Sequence, residues 1–131
     1  MCDGGLIIEQ PEIHLHSKMQ LELGDLFIEH VKKRDKPLII ETHSENILLR
    51  VRRRIAESYL KQDGTLFTND KLAVYFISND GTQSIVHKIN INKHGDLQDT
   101  PKEFDEFFSD SFQEVMAISK ASFENKQMVT I

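Results

Sequence analysis

Two short apolar runs in the sequence each end in side chains that could bind a ligand or move a proton. Leu6–Ile8 is followed by Glu9–Glu12, and Leu38–Ile40 is followed by Glu41–Ser44. The first run leads on to His14–His16, a His-x-His spacing that would point both imidazoles to one side of an extended segment and so offer a metal site. Polar clusters that directly follow buried strands are typical of the ligand-binding edge of open α/β sheets.

The apolar runs predict two strands of a parallel sheet, because continuous Leu and Ile without polar alternation is typical of strands buried on both faces. Residues 17–34 lie between them and carry apolar residues at helical spacing, and Lys36-Pro37 ends that helix. This predicts a parallel strand-helix-strand unit with a right-handed crossover, which places both polar clusters at one edge of the sheet. The alternative is a domain whose strands simply end in polar loops that bind nothing.

The rest of the chain predicts a helix, a β-hairpin and a C-terminal helix, so the fold class is α/β. Ser44 is placed to cap a helix that ends near Lys61. Segments 72–78 and 83–91 predict two strands joined by Asn79–Thr82, whose Asp-Gly pair suits a hairpin turn. The helix that ends near Lys61 is expected to bury its apolar positions, which recur in steps of three and four: Leu48, Val51, Ile55 and Tyr59. The C-terminal helix has an apolar face typical of core packing: Phe104, Phe108, Phe112, Val115 and Met116.

Charge and length exclude several classes of protein. The 131 residues have a formal net charge of −5, so no global electrostatic attraction to nucleic acid is expected. A basic run at positions 50 and 52–54 predicts either a solvated helix face or a local contact with nucleic acid or an acidic partner. The lone Cys2 cannot form an intramolecular disulfide, and no apolar run approaches the length of a membrane span. These features favour a cytoplasmic protein without membrane contact.

The polar clusters resemble motifs of a known family. Glu9-Gln10-Pro11-Glu12 with His14-Leu15-His16 is similar to the Walker B segment and D-loop of ABC-type ATPases, especially the bacterial AAA/ABC-like ATPases related to the OLD and structural-maintenance-of-chromosomes heads. Glu41-Thr42-His43-Ser44 is similar to their switch-histidine segment, and the resemblance continues to Ala56. The later residues Gly95-Asp96, Pro101 and Phe104–Phe108 resemble the small uncharacterised C-terminal domain of one subgroup.

The resemblance implies ATP and Mg²⁺ as cofactors and a role for each polar residue. Glu9 would bind Mg²⁺, through a water, and His43 would donate a hydrogen bond to the γ-phosphate. Gln10 stands where many ABC ATPases have glutamate, and its amide can orient the attacking water but cannot take its proton. General-base catalysis typically contributes about 10²–10⁴-fold, so hydrolysis should be slow unless Glu12 substitutes as the base. Glu12 could instead cap the following helix.

The sequence contains no G-x-x-x-x-G-K-[ST] phosphate loop. The resemblance therefore implies a partial P-loop ATPase lobe, with the Walker B and switch-histidine part in residues 1–62 and a hairpin-plus-helix subdomain in residues 63–131. Such a portion would hydrolyse ATP only when completed by an N-terminal lobe, in a homodimer of completed heads, with a possible role on DNA in repair or defence. The alternative is a non-catalytic interaction or nucleic-acid-binding module left by truncation.

Overall fold

The computed structural model describes residues 4–61 and 67–107, which form a mixed α/β fold with one parallel and one antiparallel sheet. The predicted strand-helix-strand unit, second helix and hairpin are confirmed. The predicted C-terminal helix begins as expected, and its positions from Phe108 onward lie outside the described residues. In chain order the elements are β1 (Leu6–Glu9), α1 (Ser17–Arg34), β2 (Leu38–Glu41), α2 (Glu45–Lys61), a 3-10 turn (Asn69–Lys71), β3 (Val74–Asn79), β4 (Ser84–Ile91), β5 (Leu97–Gln98) and α3 (Lys102–Phe107).

The parallel sheet consists of β1 and β2, paired so that Glu9 at the end of one strand lies opposite Glu41 at the end of the other. Burial alternates along β2, whereas in β1 only Ile8 is partly covered. Ile8 is half-buried, whereas Ile7 is 69% exposed and Ile39, its partner across the sheet, is 61% exposed. The prediction of strands buried on both faces is therefore wrong for the described residues. A continuous apolar run indicates that both faces of a strand could be buried, but it does not show whether another part of the chain packs on each face.

Helices α1 and α2 pack closely against each other at Gly24, which is buried. A Cβ atom at this position would lie 3.0 Å from the Arg50 Cβ atom and 3.3 Å from the Ile47 carbonyl oxygen. The small residue thus permits a close approach of the two helices. By residue type alone, a glycine within a helix indicates only a local weakening, by about 1 kcal/mol relative to alanine.

Most arginines of the basic run on α2 form hydrogen bonds or ion pairs within the protein. Arg54 donates from Nε to Asp25 Oδ1 at 2.6 Å and from Nη2 to Asp25 Oδ2 at 3.0 Å, and Arg50 also pairs with this carboxylate. Arg52 donates from Nε to the Gly95 carbonyl oxygen at 2.8 Å. The prediction of a solvated helix face is wrong for these three arginines, because acceptors from α1 and from the later part of the chain face them.

The hydrophobic core lies where α2 meets the residues that follow it. Tyr59 was predicted to be buried, but it is 39% exposed and places its ring edge-on to the His94 ring, with centroids 4.1 Å apart. The prediction is wrong for Tyr59, because its ring packs on the exposed turn that carries Lys93 and His94 rather than in the core. Phe67, which follows α2 in the chain, is buried in the core. The core cluster and the side chains packed on it are Val51, Ile55 and Phe67, with Ile28, Leu72 and Ile91.

The antiparallel sheet has the strand order β3-β4-β5. The Asp80 carboxylate closes the predicted hairpin loop by accepting hydrogen bonds from the backbone amides of residues 82 and 83, each at 2.9 Å. A turn at Lys93–Asp96 leads into β5, a strand that was not predicted from the sequence. Phe104 of α3 is buried and packs edge-on against Phe76 of β3, with ring centroids 5.4 Å apart.

Candidate functional site

The polar residues after β1 remain attached to the end of β2. The backbone amide of Gln10 donates to the Glu41 carbonyl oxygen at 2.7 Å, so the pairing of the strands extends one residue past Glu9. Gln10 has a φ of +46°, which is the left-handed region and is uncommon for a residue with a side chain. Such backbone costs about 1–3 kcal/mol and clusters at functional sites. The chain therefore turns sharply directly after the predicted Mg²⁺ ligand.

Glu12 joins the two predicted site segments. The Thr42 hydroxyl donates to Glu12 Oε1 at 2.5 Å, and the His43 backbone amide is placed to donate to Oε2 at 3.3 Å. The alternative that Glu12 caps the following helix is wrong, because the N-cap residue of α1 is His16 and has no side-chain capping bond. Glu12 instead holds the β2–α2 loop, residues 42–44, against the β1–α1 loop, residues 10–16.

The same contacts set the acidity of Glu12. Burial by itself would raise its pKa, but hydrogen bonds from the Thr42 hydroxyl and from backbone amides, together with nearby His43, lower the pKa below its ordinary value. Glu12 is therefore ionised at neutral pH. Its carboxylate accepts hydrogen bonds from the loop but takes up a proton less readily than an ordinary glutamate. A general base works best when its pKa lies near the working pH, so a lowered pKa makes Glu12 a weak base.

Ser44 connects the β2–α2 loop to the helices on either side. Its backbone amide donates to Thr42 Oγ1 at 2.9 Å, and its hydroxyl accepts from the Ile47 amide at 3.3 Å, which confirms the predicted N-cap of α2. The hydroxyl also donates to Gln20 Oε1 at 2.7 Å. Ser44 is buried, so these bonds are shielded from water.

Gln20, which is half-buried on α1, is a further member of the site that was not predicted from the sequence. Its Oε1 atom accepts from Ser44 and from Asn46 Nδ2, the latter at 3.2 Å, and its Nε2 atom donates to the Leu15 carbonyl oxygen at 3.0 Å. A glutamine near the start of a helix has no distinctive sequence pattern. Its partners lie 5, 24 and 26 positions away, and only the folded chain brings them together.

Glu9 and Glu41 form a pair of carboxylates at the tips of the strands. They are register partners in a parallel sheet, so both side chains lie on the same face, which is the open face that carries Ile7 and Ile39. Both glutamates are exposed. Adjacent carboxylates attract a divalent cation, and Mg²⁺ in phosphate-transfer sites is held by one or two carboxylates together with the phosphates. Glu9 therefore fits the predicted metal position, and Glu41 is a second candidate that the sequence analysis had not assigned.

The His-x-His pair does not have the geometry that its metal-site interpretation required. The segment from Pro11 to His14 is a turn rather than an extended strand, and His14 has a φ of +66°. His14 and His16 are both exposed. Within residues 4–61 and 67–107 there is no group of three or more His, Cys, Asp or Glu side chains that could hold a metal ion.

His43 lies in the exposed part of the β2–α2 loop. Its neighbours on both sides are anchored, Thr42 through Glu12 and Ser44 through Gln20. A side chain between two anchored residues has a restricted backbone position, which suits a group that must donate to a bound anion from a fixed place.

The described part of the chain has no helix that is long and apolar enough to span a membrane. Comparison with known proteins finds no family model, no curated protein and no solved structure that matches the chain.

Proposed function

We propose that this chain is the C-terminal portion of an ABC-like ATPase head and contributes residues to a composite Mg²⁺-ATP site. The observation that carries the proposal is the contact of Glu12 with Thr42 and His43. It joins, at one edge of a parallel sheet, the segment that resembles Walker B and the D-loop to the segment that resembles the switch-histidine motif. Ligands bind at this edge in open α/β sheets.

Glu9 is the proposed Mg²⁺ ligand, acting through a coordinated water. Its carboxylate is exposed at the end of β1, beside that of Glu41. Bound Mg²⁺ would neutralise charge on the β- and γ-phosphates. Glu9 would hold the ion at the strand tip, while most of the remaining coordination would come from water and phosphate oxygens.

Gln10 and His43 are the proposed partners of the attacking water and the γ-phosphate. The left-handed backbone of Gln10 directs the chain away from the strand at the place where a water would be oriented. Because its amide cannot accept a proton and the lowered pKa of Glu12 makes that residue a weak base, turnover is expected to be slow. His43 would donate to the γ-phosphate from its anchored loop.

The proposed site is completed by a second lobe that carries a phosphate loop, since the 131 residues contain none. The open face of the β1–β2 sheet supports this part of the proposal. Parallel strands are almost always covered on both faces, yet Ile7 and Ile39 are exposed beside Glu9. ATP hydrolysis is thus proposed for the completed head, as a homodimer, and action on DNA rests on the family resemblance alone.

A non-catalytic interaction module is the second candidate, and the outer face of the β3–β4 hairpin favours it. This face exposes three apolar side chains on neighbouring strands, with Ile77 directly opposite Val86 and Tyr75 two residues from Ile77. Contiguous exposed apolar residues mark interaction surfaces more often than isolated ones do. The arginines of α2 support nucleic-acid binding less, because three of them are already held within the chain.

A titration of Mg²⁺-ATP into the isotope-labelled chain, followed by backbone amide NMR, tests the proposal directly. Weak binding is expected, with shifts confined to the amides near Glu9 and His43, and the shifts should decrease for Glu9→Gln or when Mg²⁺ is left out. Shifts that are absent from both strand tips, or that persist in Glu9→Gln without change, would contradict the proposal.

Turnover is then measured for the chain alone and mixed with a phosphate-loop lobe of an ABC-like head. The chain alone should be inactive, and activity in the mixture should be lost with His43→Ala. His30→Ala is the matched control, because His30 lies in the last turns of α1, away from the strand tips. Equal activity of the two histidine variants would rule out the role of His43. No ATPase activity in any mixture would favour the interaction module.

A further inference from the structure

We propose that Gln20 is a positioning residue that sets the place of the β2–α2 loop, and with it His43, relative to the β1–α1 loop. Its catalytic relevance rests on the proposed function, whereas its structural action does not. Gln20 itself would touch neither nucleotide nor metal. It acts through Ser44 and Asn46 on one side and through the Leu15 carbonyl on the other.

The geometry requires both ends of the amide. The carbonyl oxygen of Gln20 accepts two hydrogen bonds from the start of α2, at 2.7 and 3.2 Å, and the amide nitrogen donates one to the β1–α1 loop at 3.0 Å. A glutamate would keep the acceptor and place a negative oxygen against the Leu15 carbonyl. A leucine would remove all three bonds at similar volume. The two substitutions therefore separate the two connections.

The connection through Gln20 uses different contacts from the one through Glu12. Glu12 reaches the β2–α2 loop at Thr42 and at the His43 amide, while Gln20 reaches it at Ser44. The two connections meet where the Ser44 amide donates to Thr42 Oγ1. His43 thus sits between two anchors that both lead back to the β1–α1 loop. Loss of either anchor should loosen the loop without unfolding the sheet.

Amide hydrogen exchange of the full chain tests this without any ATPase activity. The reporters are three backbone amides that lie next to the Gln20 bonds without bonding Gln20 themselves: Ser44 donates to Thr42 Oγ1, Ile47 to Ser44 Oγ, and Leu15 to the Glu12 carbonyl oxygen. In Gln20→Leu, these amides should exchange roughly five- to tenfold faster, because the two loops that hold them lose their connection. In Gln20→Glu, only Leu15 should be affected. Gln98→Leu makes the same chemical change on exposed β5 and should change none of the three.

Unchanged exchange at Ser44 and Ile47 in Gln20→Leu would overturn the proposal. If Gln20→Leu does not fold, Gln20→Glu decides instead: faster exchange at Leu15 with retained protection at Ser44 supports the proposal, and unchanged exchange at Leu15 overturns it.

In a completed head, Gln20→Leu should lower kcat for Mg²⁺-ATP about tenfold with a smaller change in KM, because the proposed bond from His43 to the γ-phosphate should strengthen as charge develops in the transition state. A raised KM with constant kcat would contradict positioning of His43. If the unsubstituted head shows no turnover, the proposed function fails, and the exchange measurement still decides the role of Gln20.

Discussion

The contact of Asp25 with α2 gives a prediction that depends on packing rather than on function. Asp25→Ala removes a carboxylate of α1 that accepts three hydrogen bonds from Arg50 and Arg54. The α1–α2 contact would then keep two arginines that face each other across the space of the lost acid. We expect a clear loss of stability, with the helices still formed.

The size of the loss follows from the exposure of the three side chains. Arg50 is 15% exposed, and Asp25 and Arg54 are 35% and 34% exposed. Exposed pairs contribute about 0–1 kcal/mol, and removal of one partner from a fully buried pair costs about 3–5 kcal/mol. This cluster is intermediate, so Asp25→Ala should lower the free energy of unfolding by about 2 kcal/mol.

Urea denaturation of the purified chain measures this loss. With a typical slope of about 1–3 kcal/mol per molar urea, the midpoint should fall by about 1 M at an unchanged slope. Glu29→Ala is the control. Glu29 lies on the same helix and pairs with Lys33 at 2.8 Å, but the side chains of both residues are well exposed. The midpoint of this control should move far less.

Acid should reduce the difference between Asp25→Ala and the unsubstituted chain. Hydrogen bonds from Arg54 above all, opposed by burial and aided by Arg50, lower the pKa of Asp25 below its ordinary value of 3.8. The stabilisation is therefore complete above that value and is lost as the pH falls through the lower pKa of the folded state. An effect equal to that of Glu29→Ala, or one that persists undiminished at a pH of about 2, would refute the argument.

Three further substitutions, one of them with a matched control, test other contacts by the same assay or by amide exchange. Gly95→Ala should lower the free energy of unfolding by about 3 kcal/mol or more, because φ is +87° and the new Cβ atom would lie 2.5 Å from the Arg52 carbonyl oxygen. Gly81→Ala is the control, because Gly81 has a φ of +95° but lies in open space, so the substitution should cost about 1 kcal/mol. Equal urea midpoints for the two variants would contradict this prediction. Phe104→Ala removes a buried aromatic ring and should cost about 3 kcal/mol in urea denaturation, and a loss near zero would show that α3 is not docked. Glu12→Gln should lower the protection of the residue-43 amide, measured as its exchange rate relative to an unstructured amide at the same pH. Acidification of the unsubstituted chain through the lowered pKa of Glu12 should lower this protection as well, and protection that is insensitive to both changes would exclude the proposed anchor.

The sequence by itself determined the order of the longer elements and placed their described boundaries within about two residues, but it did not indicate the 3-10 turn or β5. The apolar runs ending at Glu9 and Glu41 are the two parallel strands, and the helical periodicity between them gave α1 its observed limits. Ser44 caps α2 as its residue type indicated. These features depend on neighbours within a few positions, through periodicity, capping and turn chemistry, so they can be read locally.

Only the tertiary structure decided which side chains meet. It paired Glu12 with Thr42 across 30 positions, brought Gln20 to Ser44, and turned arginines of α2 toward Asp25. It also buried Phe67 in the core. These choices depend on the register of the two strands and on the close approach of the two helices. The type of a residue determines which bonds its side chain can form, whereas the relative positions of the helices and strands determine which partner it contacts.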